Sequence, residues 1–352
     1  MLTIFDYFNA RAIAAFYTNN PSNNITYLGA TLFPARKKLG LDLSWIKGAR
    51  GLPVSLQPSA FDTKATLRDR IGFAKIETEM PFFRESMRIG EKDRQEILRL
   101  QDNSNDQYVM PLITNIYNDV LTLVNGADVV PEREIMQLLS SGKIRITSAQ
   151  TRQDYDYDYQ MNSDHMETIT DNAQKWSNPA APIAEHIPEW QDQVETDTGV
   201  RPRRAICTRK TWGYIMKNEG FLKDMNPVGW QNVIVTNEMM RKYLLDKFDL
   251  TVAVYNKKYA LLDGSTHMFY PDDYFTLIPD GNLGTTWYGT TPEEADLMAG
   301  AKTAEVQIVN TGVAITTIRE PHPVNVETVV SEIVLPSFET IDTIFIAKVA
   351  GV

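Results

Sequence analysis

Residues 48–70 read GARGLPVSLQPSAFDTKATLRDR, a polar and basic stretch in a chain that is acidic overall. Apolar side chains alternate on both arms of this stretch, and turn-forming residues fill its tip at residues 58–64. The alternating positions are Leu52, Val54 and Leu56, with Phe73 and Ile76 on the return path. The pattern predicts two strands joined by a long loop, a ribbon that is marginally stable alone in water. We therefore expect the ribbon to lie on a surface, supplied by a neighbouring molecule if its own core does not supply one.

The charges of the chain are segregated between a basic segment, which contains this ribbon, and an acidic segment. The 352 residues carry 35 Lys and Arg against 45 Asp and Glu, a formal net charge of −10 that argues against general affinity for nucleic acid. Residues 36–75 nevertheless hold nine basic and three acidic side chains, whereas residues 153–198 hold eleven acidic side chains and one lysine. Two solvated faces would account for this pattern. The alternative is that the basic segment of one copy lies on the acidic surface of the next.

Helix and strand patterns precede the ribbon. The first twenty residues place apolar side chains at roughly helical spacing, which predicts an amphipathic arm helix. These positions are Ile4, Phe5, Phe8, Ala12, Phe16 and Tyr17. Arg11 is the single basic residue of this arm, whereas a membrane-surface helix needs several. Leu39, Leu41, Leu43 and Trp45 then alternate as in a strand with one covered face.

The clearest helical pattern follows the ribbon. A short charged helix is predicted at residues 91–101, and apolar residues then keep i, i+3/i+4 spacing over residues 109–124. Gly126 is predicted to cap this helix at its C-terminus. A further short helix is predicted from Pro131 to near Gly142.

Two strands are predicted around the start of the acidic segment, KIRITSA at residues 143–149 and YDYDYQM at residues 155–161. Along the second strand, tyrosines face one side and aspartates face the other. Same-face positions of an extended strand lie about 6–7 Å apart, too far for three aspartates to share one calcium ion. We therefore interpret Asp154, Asp156 and Asp158 as a solvated or subunit-facing row.

The second half of the chain reads as a linker at residues 176–182 followed by a compact α/β unit. An apolar stripe at Ile183, Ile187, Trp190 and Val194 predicts a helix that ends before Gly199. Strands are predicted at residues 203–208 and 233–236, and the last fifty residues have long strand patterns.

Signatures of catalysis, cofactor binding and membrane insertion are missing from the sequence. There is no GxGxxG, Walker, HExxH or GxSxG motif, and the four histidines stand singly, without metal-ligand spacing. Cys207 lies in an apolar strand pattern and is expected to be a buried, unreactive thiol. No apolar run of about 18 residues is present, so no membrane span is expected. We expect no cofactor, no metal ion and no enzymatic activity.

Several stretches carry a family resemblance when taken together in chain order. They are LGATLFPARK (28–37), LGLDLSWIKGARGLPVSLQPSAF (39–61), IETEMPFFRESMRIGEKDRQEI (76–97), KIRITSAQTRQDYDYDY (143–159), RAICTRKTWGYIMKN (204–218), MFYPDDYFTLIPDGNLGTTWYGTTPEEADL (268–297) and IREPHPVNVETVVSEIVLPSF (318–338). In combination they resemble the major capsid proteins of tailed phages, in the family of the phage lambda head protein.

The resemblance implies the α+β capsid fold shared by tailed phages and herpesviruses, the Hong Kong 97 phage type. The implied segments are an N-terminal arm and first strand (1–47), an extended loop (48–80), a peripheral domain with a long spine helix (81–178), an axial domain (179–304) and C-terminal strands that return to the peripheral domain (305–352). The opening stretch would then be the extended loop, lying across an adjacent subunit.

The implied function is that of a head protein that assembles into pentamers and hexamers of an icosahedral shell. The shell would enclose double-stranded DNA without sequence-specific binding. Its expected partners are further copies of the chain, together with portal, scaffold and decoration proteins, in a virion assembled in the host cytoplasm without membrane contact.

Contacts between copies are expected to join two sets of charged residues. The basic set is Arg50, Lys64, Arg68 and Arg70, and the acidic set is Asp154, Asp156, Asp158, Glu189, Asp192 and Glu195. Two alternatives stay open: a hydrolase with an acidic carboxylate site near residues 154–158, and a structural module of a phage tail or baseplate.

Overall fold

The computed structural model describes residues 8–19, 25–47, 74–102, 106–147, 154–230, 234–300, 304–321 and 324–351. The described residues form two compact units. The first lies within Met1–Leu43, Thr78–Glu134 and Thr285–Ser337, and the second within Ser44–Glu77, Ile135–Gly284 and Phe338–Val352. The five segments of the capsid scheme stay a prediction. Ile4, Phe5 and residues 48–73 of the ribbon lie outside the described residues.

The α-helices of the described residues are α1 Ala10–Asn19, α2 Leu28–Leu32, α3 Glu91–Asp102, α4 Asp106–Ser141, α5 Ile183–Thr198, α6 Arg209–Met216, α7 Glu219–Met225, α8 Asn237–Phe248 and α9 Pro292–Met298. The strands are β1 Ala35–Lys37, β2 Asp42–Lys47, β3 Ala74–Glu79, β4 Phe82–Ile89, β5 Lys143–Thr147, β6 Asp154–Asp158, β7 Met166–Thr168, β8 Arg204–Cys207, β9 Thr251–Val254, β10 Lys258–Ala260, β11 Thr266–Met268, β12 Tyr274–Ile278, β13 Thr285–Tyr288, β14 Glu305–Val309, β15 Val313–Pro321, β16 Val324–Ser337 and β17 Phe345–Lys348.

Polar side chains begin several of the helices. Thr208, Asn218, Thr236 and Thr291 each accept a hydrogen bond from a backbone N–H in the first turn of the helix that follows. At the other end of α5, Gly199 adopts the left-handed conformation with φ 74°. The predicted stop of this helix before Gly199 is therefore confirmed.

The first unit is built on a six-stranded sheet. Its order is β1-β13-β16-β15-β14, and β4 also pairs with β16. Strand β16 runs antiparallel to β13, β15 and β4, and β1 joins β13 in parallel. Residues 328–337 of β16 are buried without interruption, as expected for a strand whose two faces are both covered.

Helices α1 and α4 pack on one face of this sheet. Their shared apolar cluster comprises Ala10, Ile13, Tyr17, Val120, Leu121, Val124, Ala127, Val309, Val313, Ile315 and Val330. A second cluster adds Phe8, Ile89, Ile97, Ile113, Ile116 and Val326. Burying each large aliphatic or aromatic side chain contributes about 1.5–3 kcal/mol. The predicted amphipathic arm helix is thus confirmed for its described part, and its apolar face packs within this unit.

A polar contact fixes the C-terminal end of the arm helix to α4. The Tyr17 hydroxyl donates to Asp128 Oδ2 at 2.6 Å, and the Asn310 amide donates to both Tyr17 Oη (3.0 Å) and Asp128 Oδ1 (2.7 Å). Burial, together with the hydrogen bond to Asp128, raises the pKa of Tyr17 to about 12. The hydroxyl therefore stays a donor throughout the neutral pH range.

The long helix differs from its prediction. One 36-residue helix runs through Gly126 and Pro131 to Ser141, so the predicted cap at Gly126 and the separate helix from Pro131 are wrong. A glycine and an interior proline cost a helix about 1 and about 3 kcal/mol relative to alanine. Buried residues on both sides, from Val120 to Leu139, offset that cost through tertiary packing. Gly142, with φ 67°, follows the real end of the helix.

The second unit contains a five-stranded sheet in the order β7-β17-β12-β8-β9. Its core centres on the aromatic rings of Trp176, Trp190, Phe275 and Phe345. Trp190 stacks on Trp176 and Phe345, with ring centroids 5.7 and 5.3 Å apart. The predicted linker at residues 176–182 is irregular in backbone, but Trp176 anchors it in this core with 1% exposure.

His186 on the buried face of α5 is expected to make the second unit sensitive to acid. Trp176 Nε1 donates to His186 Nδ1 at 3.2 Å, so this nitrogen must carry no proton. Burial lowers the pKa of His186 below its ordinary value, against the opposing charge of Glu167. Because the unfolded chain binds this proton more readily, the contribution of His186 to stability is present above about pH 6.5 and is lost as pH falls through the lowered pKa.

We expect the free energy of unfolding of the second unit to decrease on acidification, by up to about 1.4 kcal/mol per pH unit. Urea denaturation followed by tryptophan fluorescence at a series of pH values measures this slope. The matched variant is His186→Asn, whose Oδ1 replaces the acceptor Nδ1 without titrating. An unchanged slope in this variant would show that His186 is not the group responsible.

Two further strand predictions are corrected by the structure. Leu39 and Leu41 lie before β2 and are 71% and 47% exposed, because Gly40 turns the backbone at φ 87° and the strand begins at Asp42. Residues 234–236 form no strand: Ile234 is 89% exposed, and Thr236 caps α8.

Candidate assembly surfaces

The ribbon has its described base in strands β2 and β3, which pair as a two-stranded sheet. Leu43 and Trp45 point to the covered side, while the neighbouring positions Asp42 and Ser44 are exposed, as the alternating pattern predicted for this part of the strand. β2 ends at Lys47 and β3 begins at Ala74, so these two strands are the described ends of the ribbon.

A small set of contacts holds β2 on the second unit. The Trp45 ring lies 5.1 Å from the Tyr159 ring, and both side chains are buried. Lys47 Nζ donates to the carbonyl of Gln160 and lies 3.4 Å from Asp342 Oδ1. We call Trp45, Lys47, Tyr159, Gln160 and Asp342 the ribbon anchor. It fixes the end of β2, the last described residues before position 48, on this unit.

The acidic row lies on the hairpin of β5 and β6. The register pairs Ile144 with Tyr157 and Ile146 with Tyr155, which places aliphatic and aromatic side chains on one face. Both isoleucines are buried and the tyrosine rings are half-buried. The aspartates occupy the other, exposed face, so the predicted separation of tyrosines from aspartates is confirmed.

Basic residues of β5 neutralise most of this row. Lys143 lies directly opposite Asp158 and Arg145 opposite Asp156, with nitrogen–oxygen distances of 2.7 and 2.8 Å. The hydrogen bond from Lys143 lowers the pKa of Asp158 below its ordinary value. Asp154 lies opposite Thr147 and has no basic partner among the described residues.

The second acidic set lies on the exposed face of α5. Arg201, just beyond the helix, contacts both Asp192 and Glu195, the latter at 2.7 Å. Glu189 is exposed and makes no ion pair within the described part of the chain. Asp154 and Glu189 are therefore the acidic candidates with charge left for a neighbouring molecule.

The basic candidates Arg50, Lys64, Arg68 and Arg70 lie outside the described residues. Sequence reasoning had missed Lys143, Arg145 and Arg201, which pair with the acidic candidates inside one chain. The signal for two of them was present in the sequence, since antiparallel pairing of KIRIT with DYDYD sets basic residues opposite acidic ones. Arg201 follows the helix in sequence, and its reach back to α5 depends on the turn at Gly199.

Exposed apolar side chains mark further surface. Val228, Ile234 and Leu262 of the second unit are 87%, 89% and 75% exposed. Leu262 lies in the turn between β10 and β11. Single exposed apolar residues are ordinary on protein surfaces, but those on exposed turns are available for contacts with other copies.

The described residues offer little for catalysis. No group of three or more His, Cys, Asp and Glu side chains is placed among them to hold a metal ion. Burial raises the pKa of Cys207 to about 12, which confirms the predicted inert thiol. The described histidines are engaged locally: His165 with Asp197, His186 with Trp176 and His267 with Ser265. No helix in the described ranges has the length and apolar character needed to cross a membrane.

The fold is that of phage capsid proteins. A protein assigned as the capsid protein of a prophage in Escherichia coli CFT073 superposes with a TM-score of 0.58 at 16% identity, covering 97% of this chain and 99% of that one. A phage-related protein of Bordetella bronchiseptica RB50 gives a TM-score of 0.54 at 13% identity, with 97% of each chain covered. The capsid of cyanophage P-SCSP1u gives 0.50 at 8% identity over 93% and 89%. These likenesses confirm the predicted tailed-phage capsid fold.

Sequence comparison shows the family to which the chain belongs. Residues 9–349 match the family model of phage major capsid protein E, and the chain belongs to that family. It is a phage capsid shell protein, with its place in the capsid of the virion. No curated protein sequence matches the chain.

Proposed function

We propose that this subunit assembles into hexamers and pentamers of an icosahedral head that encloses double-stranded DNA. The observation that carries the proposal is the match of residues 9–349 to the phage major capsid protein E family. The subunit acts without enzymatic activity, and assembly takes place in the host cytoplasm with portal, scaffold and decoration proteins. A net charge of −10 suits a container wall, because a strongly basic wall would bind the DNA phosphates and hinder packing and release.

Gradient sedimentation combined with nuclease digestion tests this function. Particles recovered from cells that also express the packaging proteins are expected to sediment as closed shells and to protect double-stranded DNA. Particles from cells without the packaging proteins are expected to be empty. Recovery of the chain only as monomers or as open tubes would overturn the proposal, and tubes would favour the tail module.

We further propose that the ribbon of one copy lies on the acidic surface of the next. In this contact Arg50, Lys64, Arg68 and Arg70 face the acidic candidates, and Asp154 and Glu189 contribute most. The larger contribution of Asp154 and Glu189 is supported by the absence of a basic partner for either residue among the described residues. The other four candidates contribute less, since basic side chains of the same chain already neutralise them. Exposed ion pairs contribute about 0.2–1 kcal/mol each and act chiefly on register.

A charge-swap experiment checks this contact. The double variant Arg50→Glu/Arg68→Glu is expected to slow shell assembly and to weaken each subunit contact roughly two- to fivefold per lost pair. Adding Asp154→Lys and Glu189→Lys is expected to restore assembly in part. Lys217→Glu, an exposed change of the same charge, is the control. Light scattering at low and high salt gives the rates, and absence of rescue would contradict the pairing.

A further inference from the structure

Two glutamates of the first unit are buried without hydrogen-bond partners. The side chains of Glu134 and Glu332 are 0% and 1% exposed, and none of their four carboxyl oxygens has a donor among the described residues. Removing an ionised carboxylate from water costs several kcal/mol even after the protein relaxes around it. Buried polar groups are normally satisfied, so an unsatisfied pair in one core requires a physical reason.

The two carboxyl groups belong to elements that pack against each other. Val330 of β16 lies in the apolar cluster formed with α4, and Glu332, two residues further along the strand, points to the same face. On β13, Tyr288 is in register with Val334 and shares this face as well. On β4, Phe83 lies directly opposite Glu332. Glu332 thus lies on the sheet face that packs against α4, the helix that carries Glu134.

The charges around the pair are mostly negative. The titratable and charged groups near it are Asp128 and Arg133 on α4, Tyr288 on β13, Glu85 on the same face of β4, and Tyr17 on α1, which lies near Tyr288. Glu132 accepts from the backbone N–H of Gly29 at 2.8 Å, and Asp128 accepts from Tyr17 and Asn310. Arg133 is the positive group of this set.

Burial raises the pKa of both Glu134 and Glu332 well above the ordinary glutamate value. The charge of Glu134 raises the pKa of Glu332 further, whereas Arg133 opposes the shift of Glu134. Both groups therefore hold their protons at pH values where an exposed glutamate has lost its own. A neutral carboxylic acid is far less costly to bury than a carboxylate.

We propose that Glu134 and Glu332 form a proton-operated lock between α4 and β16. With both carboxyls protonated, the helix packs on the strand as in this structure. When the protons leave, two negative charges in one apolar core drive helix and strand apart. The subunit then favours a conformation in which these carboxyls reach water or a cationic partner.

The sign of the effect follows from linkage. A group whose pKa is raised in the folded state contributes stability that is fully present below its ordinary pKa. That stability is lost as pH rises through the raised value. The packed conformation is therefore favoured by acid and weakened toward neutral and alkaline pH. This direction is opposite to that of His186 in the second unit, so the two effects are separable by variants.

Thermal unfolding of the full-length protein between about pH 5 and about pH 8 tests the lock. For the wild type, the unfolding constant of the first unit is expected to rise by up to about tenfold per pH unit for each proton released. Each of the variants Glu332→Gln and Glu134→Gln should show a smaller dependence of the unfolding constant on pH. At the upper end of the pH range, each variant should have a higher melting temperature than the wild type. Glu96→Gln, an exposed change on α3 away from the pair, should behave like the wild type.

A second measurement uses the wild type and does not depend on whether the variants fold. Infrared spectra of the wild type near neutral pH are expected to show the carbonyl stretch of protonated carboxylic acids, which disappears on further alkalinisation. Absence of this band, or an unchanged pH slope in both glutamine variants, would overturn the lock. Stabilisation of the wild type by added calcium or potassium that both glutamine variants lose would also overturn it, in favour of a bound cation.

Discussion

Replacing Trp190 with alanine is expected to cause the largest loss of stability among single changes in the second unit. The side chain is 1% exposed and stacks between Trp176 and Phe345 at centroid distances of 5.7 and 5.3 Å. Its Nε1–H also donates to Glu167. Truncating a buried tryptophan to alanine costs about 3–5 kcal/mol, because the transfer free energy is lost and a cavity remains.

Urea denaturation followed by near-ultraviolet circular dichroism measures the loss at Trp190. The matched control is Trp190→Phe, which keeps a stacked ring and gives up the hydrogen bond, so we expect a much smaller change. A loss below about 1 kcal/mol in the alanine variant would be that of an ordinary surface substitution. It would contradict the assignment of these rings as the centre of the core.

Replacing Trp45 with alanine is expected to have a large effect on particle assembly. Trp45→Ala removes the buried ring of the ribbon anchor that lies against Tyr159, and about 3–5 kcal/mol of packing with it. The two-stranded base of the ribbon depends on such contacts, because a free hairpin is marginally stable. We expect this variant to keep a folded core in both units and to fail to form particles.

Sedimentation velocity under assembly conditions separates folding from assembly in the Trp45 variants. Trp45→Phe should form particles, because the smaller ring still packs on Tyr159. Leu39→Ala, a change at a side chain that is 71% exposed within the chain, controls for general loss of apolar surface. Particles of normal yield from Trp45→Ala would show that the anchor does not position the ribbon.

The elements that could be read from the sequence are those with strong local periodicity. The stripe from Ile183 to Val194 predicted α5, and the alternation in DYDYD predicted β6 with its two faces. The sequence predicted two helices in place of the single long helix α4, because Gly126 and Pro131 are local stop signals. Burial of the residues on both sides outweighs those signals, and burial is a tertiary property that one sequence does not display.

The charged surface was only partly predictable for a related reason. A count along the chain finds the acidic residues 153–198, but it does not place Lys143 and Arg145 across the hairpin from them. Strand β13 is likewise hard to predict, because TTWY is too short to show a period and is defined by its pairing with β16. Fold and family came from the order of many weak segments, which the family match over residues 9–349 confirms.

Cryo-electron microscopy of the purified protein after assembly shows whether one copy of the chain is completed by the next. We expect closed hollow shells of five- and six-membered rings, with density for residues 48–73 of each subunit lying across its neighbour. Discrete monomers with those residues packed on their own chain, or tubes in place of closed shells, would contradict this expectation.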